Sequence, residues 1–154
     1  MESSKKWMGH VKKSFWTEPA SRRGFHRPGD TQLSHAIGVL ALASKHWRRV
    51  PWQDVRKDRQ VCRSFLRAAL FHDIGKAFDR DKHDLAGFCW MFPKDHTAAF
   101  FILQHMGRWG APSGEKYMLL KEHEALFLVT PVNQYLSDIL AACDYTHAIC
   151  FNEK

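Results

Sequence analysis

Residues 65–78 read FLRAALFHDIGKAF, and this stretch decides the fold. It is apolar enough to be buried, yet it carries an adjacent His72–Asp73 pair and Lys76. An imidazole and a carboxylate withdrawn from water without partners are costly. The rest of the chain must bring partners to this point. From Phe65 onward, Leu66, Ala68, Ala69, Leu70 and Ile74 cover nearly the whole circumference of a helix, the pattern of a central, buried one.

Working outward, Asp58 opens that helix and Phe78 ends it. Upstream, Asp30 or Thr31 caps a helix running to about Arg49, with Leu33, Ile37 and Leu40 along one side and Pro51 as its stop. Downstream, a short helix spans about Asp84 to Met91, before Pro93. Another runs from Asp95 to about Met106, where Gly107 fits a C-terminal stop. A further helix covers about Gly114 to Leu128. Thr130–Pro131 is a cap followed by proline in the first turn, opening a last helix to about Cys150. No alternating strand pattern competes, and no internal repeat is present. The expected architecture is all-α, a compact bundle of about five to seven helices.

At 154 residues the chain has the length of one domain with a good core. Residues 1–29 show no clean period and read as a basic N-terminal arm; residues 30–154 read as the domain proper. No apolar run is long enough to span a bilayer, and MESSKKWMGHVKKSFW lacks the apolar segment of an export signal, so no membrane partner is expected. The four cysteines form no C-x-x-C pair and sit among apolar residues. They read as reduced core thiols, and the expected compartment is the cytoplasm. The net charge is +7. Basic residues concentrate in the first thirty positions and again between Lys45 and Arg67, which favours an anionic partner.

The polar intrusions into apolar helix faces make a short set: His35, His72 and Asp73, and Asp144 in ILAACDYTH. Each can ligate a metal. One divalent cation would offset their desolvation together, since neutral imidazoles and carboxylates suit Zn, Mn, Fe, Co or Ni. Separate hydrogen bonds would satisfy any one of them alone; the set in this order points to a shared ion.

That order, His, then His-Asp, then a distant Asp, resembles the HD superfamily of metal-dependent phosphohydrolases. AALFHDIGK is similar to the family's LLHDIGK helix, and the resemblance runs from about residue 31 to 147. It implies that His35, His72, Asp73 and Asp144 hold one metal. DRDKHDLAGF and FFILQHMGRWG resemble segments that supply further histidines in two-metal members, which points to His83 and His105 with Asp73 bridging. One or two divalent ions per chain are therefore expected, drawn from Mn, Fe, Ni, Co, Zn or Mg.

His96 lies nine residues before His105, on the opposite side of a helix, and reads as a first-turn residue. His123 sits between two glutamates and reads as solvated or carboxylate-paired, with a third ligand for the second metal as the alternative. Thr146 and His147, near Asp144, are placed to line a substrate pocket. Lys76, one turn after His72, would hold a substrate phosphate or satisfy the helix terminus. Asp73 and Lys76 are the expected catalytic residues. The resemblance implies hydrolysis of a phosphate ester or anhydride of a nucleotide, including a cyclic one. The alternative is a nuclease on single-stranded DNA or RNA, as in CRISPR-associated HD domains, favoured by the basic arm. A degenerate binding module and a di-iron oxygenase are the remaining classes. The arm is also the expected contact for a second copy or a partner protein.

Overall fold

The computed structural model describes residues 9–20, 29–106, 111–123 and 130–149. Its helices are α1 (Gln32–Trp47), α2 (Gln53–Lys57), α3 (Arg59–Phe71), α4 (His83–Met91), α5 (His96–Gln104), α6 (Ser113–Glu122) and α7 (Pro131–Ile149). Among the described residues there is no strand, only an isolated bridge between Pro19 and Thr31. The all-α bundle is thus observed.

The helix starts follow local chemistry. Thr31 Oγ1 accepts from the Ser34 amide at 3.1 Å while Ser34 Oγ accepts from the Thr31 amide at 2.8 Å, a reciprocal capping box on α1. Asp58 accepts from the amides of Gln60 and Val61 to start α3. Asp95 accepts from the Ala98 amide on α5, and Thr130 from the Asn133 amide on α7. Each such cap contributes about 1 kcal/mol. The single-turn helix α2 was not expected, because none of its residues is buried and it leaves no apolar period to read.

Two expectations are corrected. The helix through FLRAALFHDIGKAF ends at Phe71, not Phe78, and a tighter 3₁₀ turn follows over Ile74–Ala77. Gly75 explains the change: a Cβ there would lie 1.9 Å from the His83 carbonyl oxygen, so the turn is pressed directly onto the backbone of α4. Nor is α3 the buried hub. That place belongs to α5, where Ala98, Ala99, Phe100, Phe101, Ile102 and Leu103 are all fully buried. Helix α5 packs on α3, α4, α6 and α7, and α1 packs on α3 and α7. Helix α3 buries Phe65, Ala68 and Ala69 on its inner side but leaves Leu66 and Leu70 only half-buried on the outer one.

Part of the N-terminal segment is docked. Phe15 is buried in a 3₁₀ turn (Lys13–Thr17), and Trp16 meets Phe71 edge-on at 6.0 Å. The Ala20 amide donates to the Asp30 carbonyl and the Gln32 amide to the Glu18 carbonyl, tying this segment to the start of α1. Cys62, Cys89 and Cys143 are free thiols, and burial pushes Cys89 and Cys143 up to about 11. Cys150, the Gly107 stop and the end of the expected 114–128 helix lie outside the described residues.

Candidate metal centre

Five helices converge on Asp73. His35 comes from the inner face of α1, His72 from the C-terminal end of α3, and Asp144 from α7. Asp73 itself sits at the break after α3. His35 Nε2 lies 2.8 Å from Asp144 Oδ1 and 3.6 Å from Asp73 Oδ2. His72 Nε2 lies 3.3 Å from Asp144 Oδ1, 3.4 Å from Asp73 Oδ2 and 3.2 Å from His35 Nε2. On the other oxygen, Asp73 Oδ1 is 3.2 Å from His83 Nε2 and 3.6 Å from His105 Nε2. His83 opens α4 and His105 follows the end of α5. Asp73 therefore belongs to both clusters, one oxygen to each, and within each the ligand atoms lie inside 4.8 Å of one another.

The rear nitrogens decide which atoms face inward. Nδ1 of His72, His83 and His105 lies 2.7, 3.0 and 2.5 Å from the carbonyls of Ala69, Arg80 and Ile102, each three residues back. A carbonyl can only accept, so each Nδ1 carries a hydrogen, and a ring in its neutral form turns an unprotonated Nε2 to the centre. Such rear bonds are the usual means of orienting a metal-bound imidazole. His83 Nε2 and His105 Nε2 are buried without a hydrogen-bond partner. Buried polar atoms normally find a hydrogen-bond partner, and a cation between lone pairs aimed at one another and at carboxylates would satisfy them together. Imidazoles and carboxylates in this mixture fit a first-row divalent ion at either cluster.

The electrostatics agree. Burial alone would lower His72, but the Asp73 and Asp144 carboxylates outweigh it and hold the imidazole well above its ordinary value. Burial would raise Asp73 and Asp144; the charge of His72, joined at Asp73 by that of Lys76, holds them well below the usual carboxylate range. Burial lowers His105, keeping it neutral and able to donate a lone pair. Lys76 Nζ stands 3.1 Å from Asp73 Oδ2 and donates to the Ala20 carbonyl, also at 3.1 Å, so it joins the centre to the docked N-terminal segment.

His147 and Thr146, expected at a substrate pocket, are placed differently from each other. Thr146 is half-buried, whereas His147 is buried behind His35, with the two Nδ1 atoms 2.8 Å apart. Asp30 Oδ2 lies 3.7 Å from His147 Nδ1 and 3.8 Å from His35 Nδ1. Gly38 admits the His147 ring, since a Cβ there would fall 2.0 Å from its Nε2. His96 and His123 stand apart from both clusters, flanking Phe92 at ring distances of 4.4 and 4.6 Å.

The sequence marks Asp30 only as a helix cap, whereas the structure sets it beside His35 and His147. Nor does the sequence reading single out the fully buried Asp84, which pairs with Lys116 and accepts from the amides of Leu85 and Ala111. The available signal was that His83–Asp84 is a second His-Asp dipeptide in an apolar helix.

No curated protein and no solved structure gives a match to the chain. The HD domain family matches residues 33–149, a span that begins two residues before His35 and closes five residues after Asp144. That match covers most of the chain and includes every residue of both clusters. The chain belongs to the HD domain family, whose members are in general metal-dependent phosphohydrolases.

Proposed function

We propose that this protein hydrolyses a phosphate ester or anhydride of a nucleotide, with His35, His72, Asp73 and Asp144 holding one divalent metal and Asp73, His83 and His105 a second. The observation that carries the reading is the division of Asp73 between the two clusters, one carboxylate oxygen facing each. Bound there, a divalent metal supplies Lewis acidity, which makes water a better nucleophile near neutral pH and draws charge from a phosphoryl oxygen.

The chain's own residues account for the rest. Asp73, held ionised by its surroundings, keeps a negative charge between the two sets of imidazoles and fixes their separation. The rear hydrogen bonds lock three rings so that no rotamer search precedes binding. Lys76 supplies a cation at the edge of the centre; exchanging its hold on Asp73 for a substrate phosphate oxygen would place positive charge where negative charge accumulates. Thr146, half-buried two residues beyond Asp144, offers a hydroxyl for orienting that substrate.

The test is metal analysis of the purified protein together with a turnover screen over mononucleotides, cyclic nucleotides, dinucleoside polyphosphates and short single-stranded DNA and RNA. The expected result is one or two metal equivalents and turnover of a small nucleotide, both lost in Asp73→Ala. An Asp73→Ala variant that keeps its metal and its turnover overturns the proposal. Salt-sensitive cleavage of single strands with no turnover of free nucleotides replaces it with the nuclease reading.

A further inference from the structure

The outer face of α3 has an unusual composition for a surface. Leu66 and Leu70 lie there one turn apart and half-buried, with Cys62 one turn before them. Leu40 of α1 closes the opposite wall of an open groove of about 580 Å³. Helix α1 extends the apolar strip beyond the groove: Leu33 and Ile37 are 44% and 53% exposed and share a face with Leu40 at helical spacing. This explains why the sequence marks α3 as buried all round. The bundle buries Phe65, Ala68 and Ala69, while Leu66 and Leu70 stay partly exposed at the groove.

The rim of the groove is basic. Arg59, Arg63 and Arg67 follow one another at four-residue steps, about 6 Å each along the helix, and Arg56 joins them from α2. Arg56 donates to the Val50 carbonyl at 3.1 Å, and Arg67 pairs with Asp95 at 3.0 Å. Arg59 and Arg63 have no carboxylate partner among the described residues. Between residues 45 and 67 the chain carries eight lysines and arginines against two aspartates. An apolar strip bounded by unpaired charge of one sign marks an interaction site rather than a solvated helix face.

The chemistry narrows the occupant. A second copy of this chain would bring like charge to like, at +7 per chain. A nucleic-acid strand wants aromatic rings on which bases stack, and the floor of this groove is chiefly aliphatic. A bilayer wants a protruding apolar edge, and this surface is concave. Leucine-type side chains one turn apart, flanked by carboxylates, satisfy both the floor and the rim, which is the helix-in-groove mode of recognition. We infer that the α1–α3 groove docks an acidic amphipathic helix of a partner protein.

The probe is a fluorescein-labelled 18-residue peptide with leucines at helical i, i+3, i+4, i+7 spacing and glutamates on both flanks. Its control has every glutamate replaced by lysine. Anisotropy titrations use the full chain at physiological salt. The acidic peptide should bind saturably, and the lysine peptide at least tenfold more weakly. Arg59→Glu/Arg63→Glu, and separately the exposed Ile37→Asp, should each weaken the acidic peptide at least tenfold. Melting temperature, metal content and turnover should stay at wild-type values, which separates this surface from the proposed active site. Absence of binding, equal binding of both peptides, or binding indifferent to the variants overturns the inference. So does an Arg59- and Arg63-dependent association with oligo(dT) or phosphatidylserine vesicles in place of the acidic peptide.

Discussion

His35 Nδ1 lies 2.8 Å from His147 Nδ1, so His35 is the one clustered imidazole whose rear nitrogen faces a side chain rather than a backbone carbonyl. For His35 Nε2 to turn a lone pair toward Asp144, Asp73 and His72, its hydrogen must sit on Nδ1, with His147 Nδ1 as acceptor. His147→Ala should therefore lower metal affinity at the His35–Asp144 cluster by about 10- to 100-fold. His147→Asn, whose side-chain oxygen can stand near the Nδ1 position, should keep most of it. Gly38→Ala should behave like His147→Ala, because the new Cβ occupies the space of the His147 ring. Chelator-competition titrations measure this. Equal affinities in the Ala and Asn variants would show that His147 is only packing.

Dividing Asp73 between two clusters predicts separable stoichiometries. His83→Ala and His105→Ala should each lose one metal equivalent and keep the one shared by His35, His72, Asp73 and Asp144. His72→Ala should lose the other. Elemental analysis after dialysis against a weak chelator reads the result directly. If neither His83→Ala nor His105→Ala changes the stoichiometry, the second cluster does not hold an ion.

Stability of the metal-free protein should depend on pH in a bracketed way. The raised imidazole of His72 adds stability that is fully present below its ordinary value, about 6.5, and is lost as pH rises through its elevated native value. The lowered carboxyls of Asp73 and Asp144 add stability that is present above about 4 and lost as pH falls through their depressed native values. Melting temperature in chelator should peak in mildly acidic buffer and decline on both sides. Metal binding needs His72 neutral, so added metal should move the optimum to higher pH and release protons on titration. A metal-free melting temperature that climbs steadily from pH 6 to pH 9 would contradict the assigned charges.

Much of this was legible in the sequence because ligand residues interrupt apolar periods. His35, His72–Asp73 and Asp144 each stand out against a helix that otherwise wants to be buried, and the caps at Thr31, Asp58, Asp95 and Thr130 mark the elements that carry them. The break at His72–Asp73 was not legible. It depends on Gly75 meeting the α4 backbone, a contact between residues whose approach only the fold determines. The half-buried outer side of α3 was hidden for a related reason: periodicity reports that a residue is apolar, not how far its own chain covers it. The role of Asp30 was masked because one aspartate can both sit ahead of a helix and lie beside His35 and His147, and spacing shows only the first.

Asp84 and Lys116 form a buried ion pair immediately after a metal-cluster histidine, and this pair holds the start of α4 to α6. Asp84 also accepts from the Ala111 amide, so one carboxylate fixes both the chain entering α6 and the helix that carries His83. Lys116→Met would leave that carboxylate charged, fully buried and short of its cation, at a cost of about 3–5 kcal/mol. Asp84→Asn/Lys116→Met removes the charge while the asparagine oxygen can still accept from Leu85 and Ala111, and it should recover most of the loss. Chemical denaturation of the two variants and wild type gives the comparison. The single variant should also weaken the metal held by His83 and His105, because its strain falls on the residue next to His83. A single variant as stable as wild type would mean that Asp84 finds its counter-charge elsewhere.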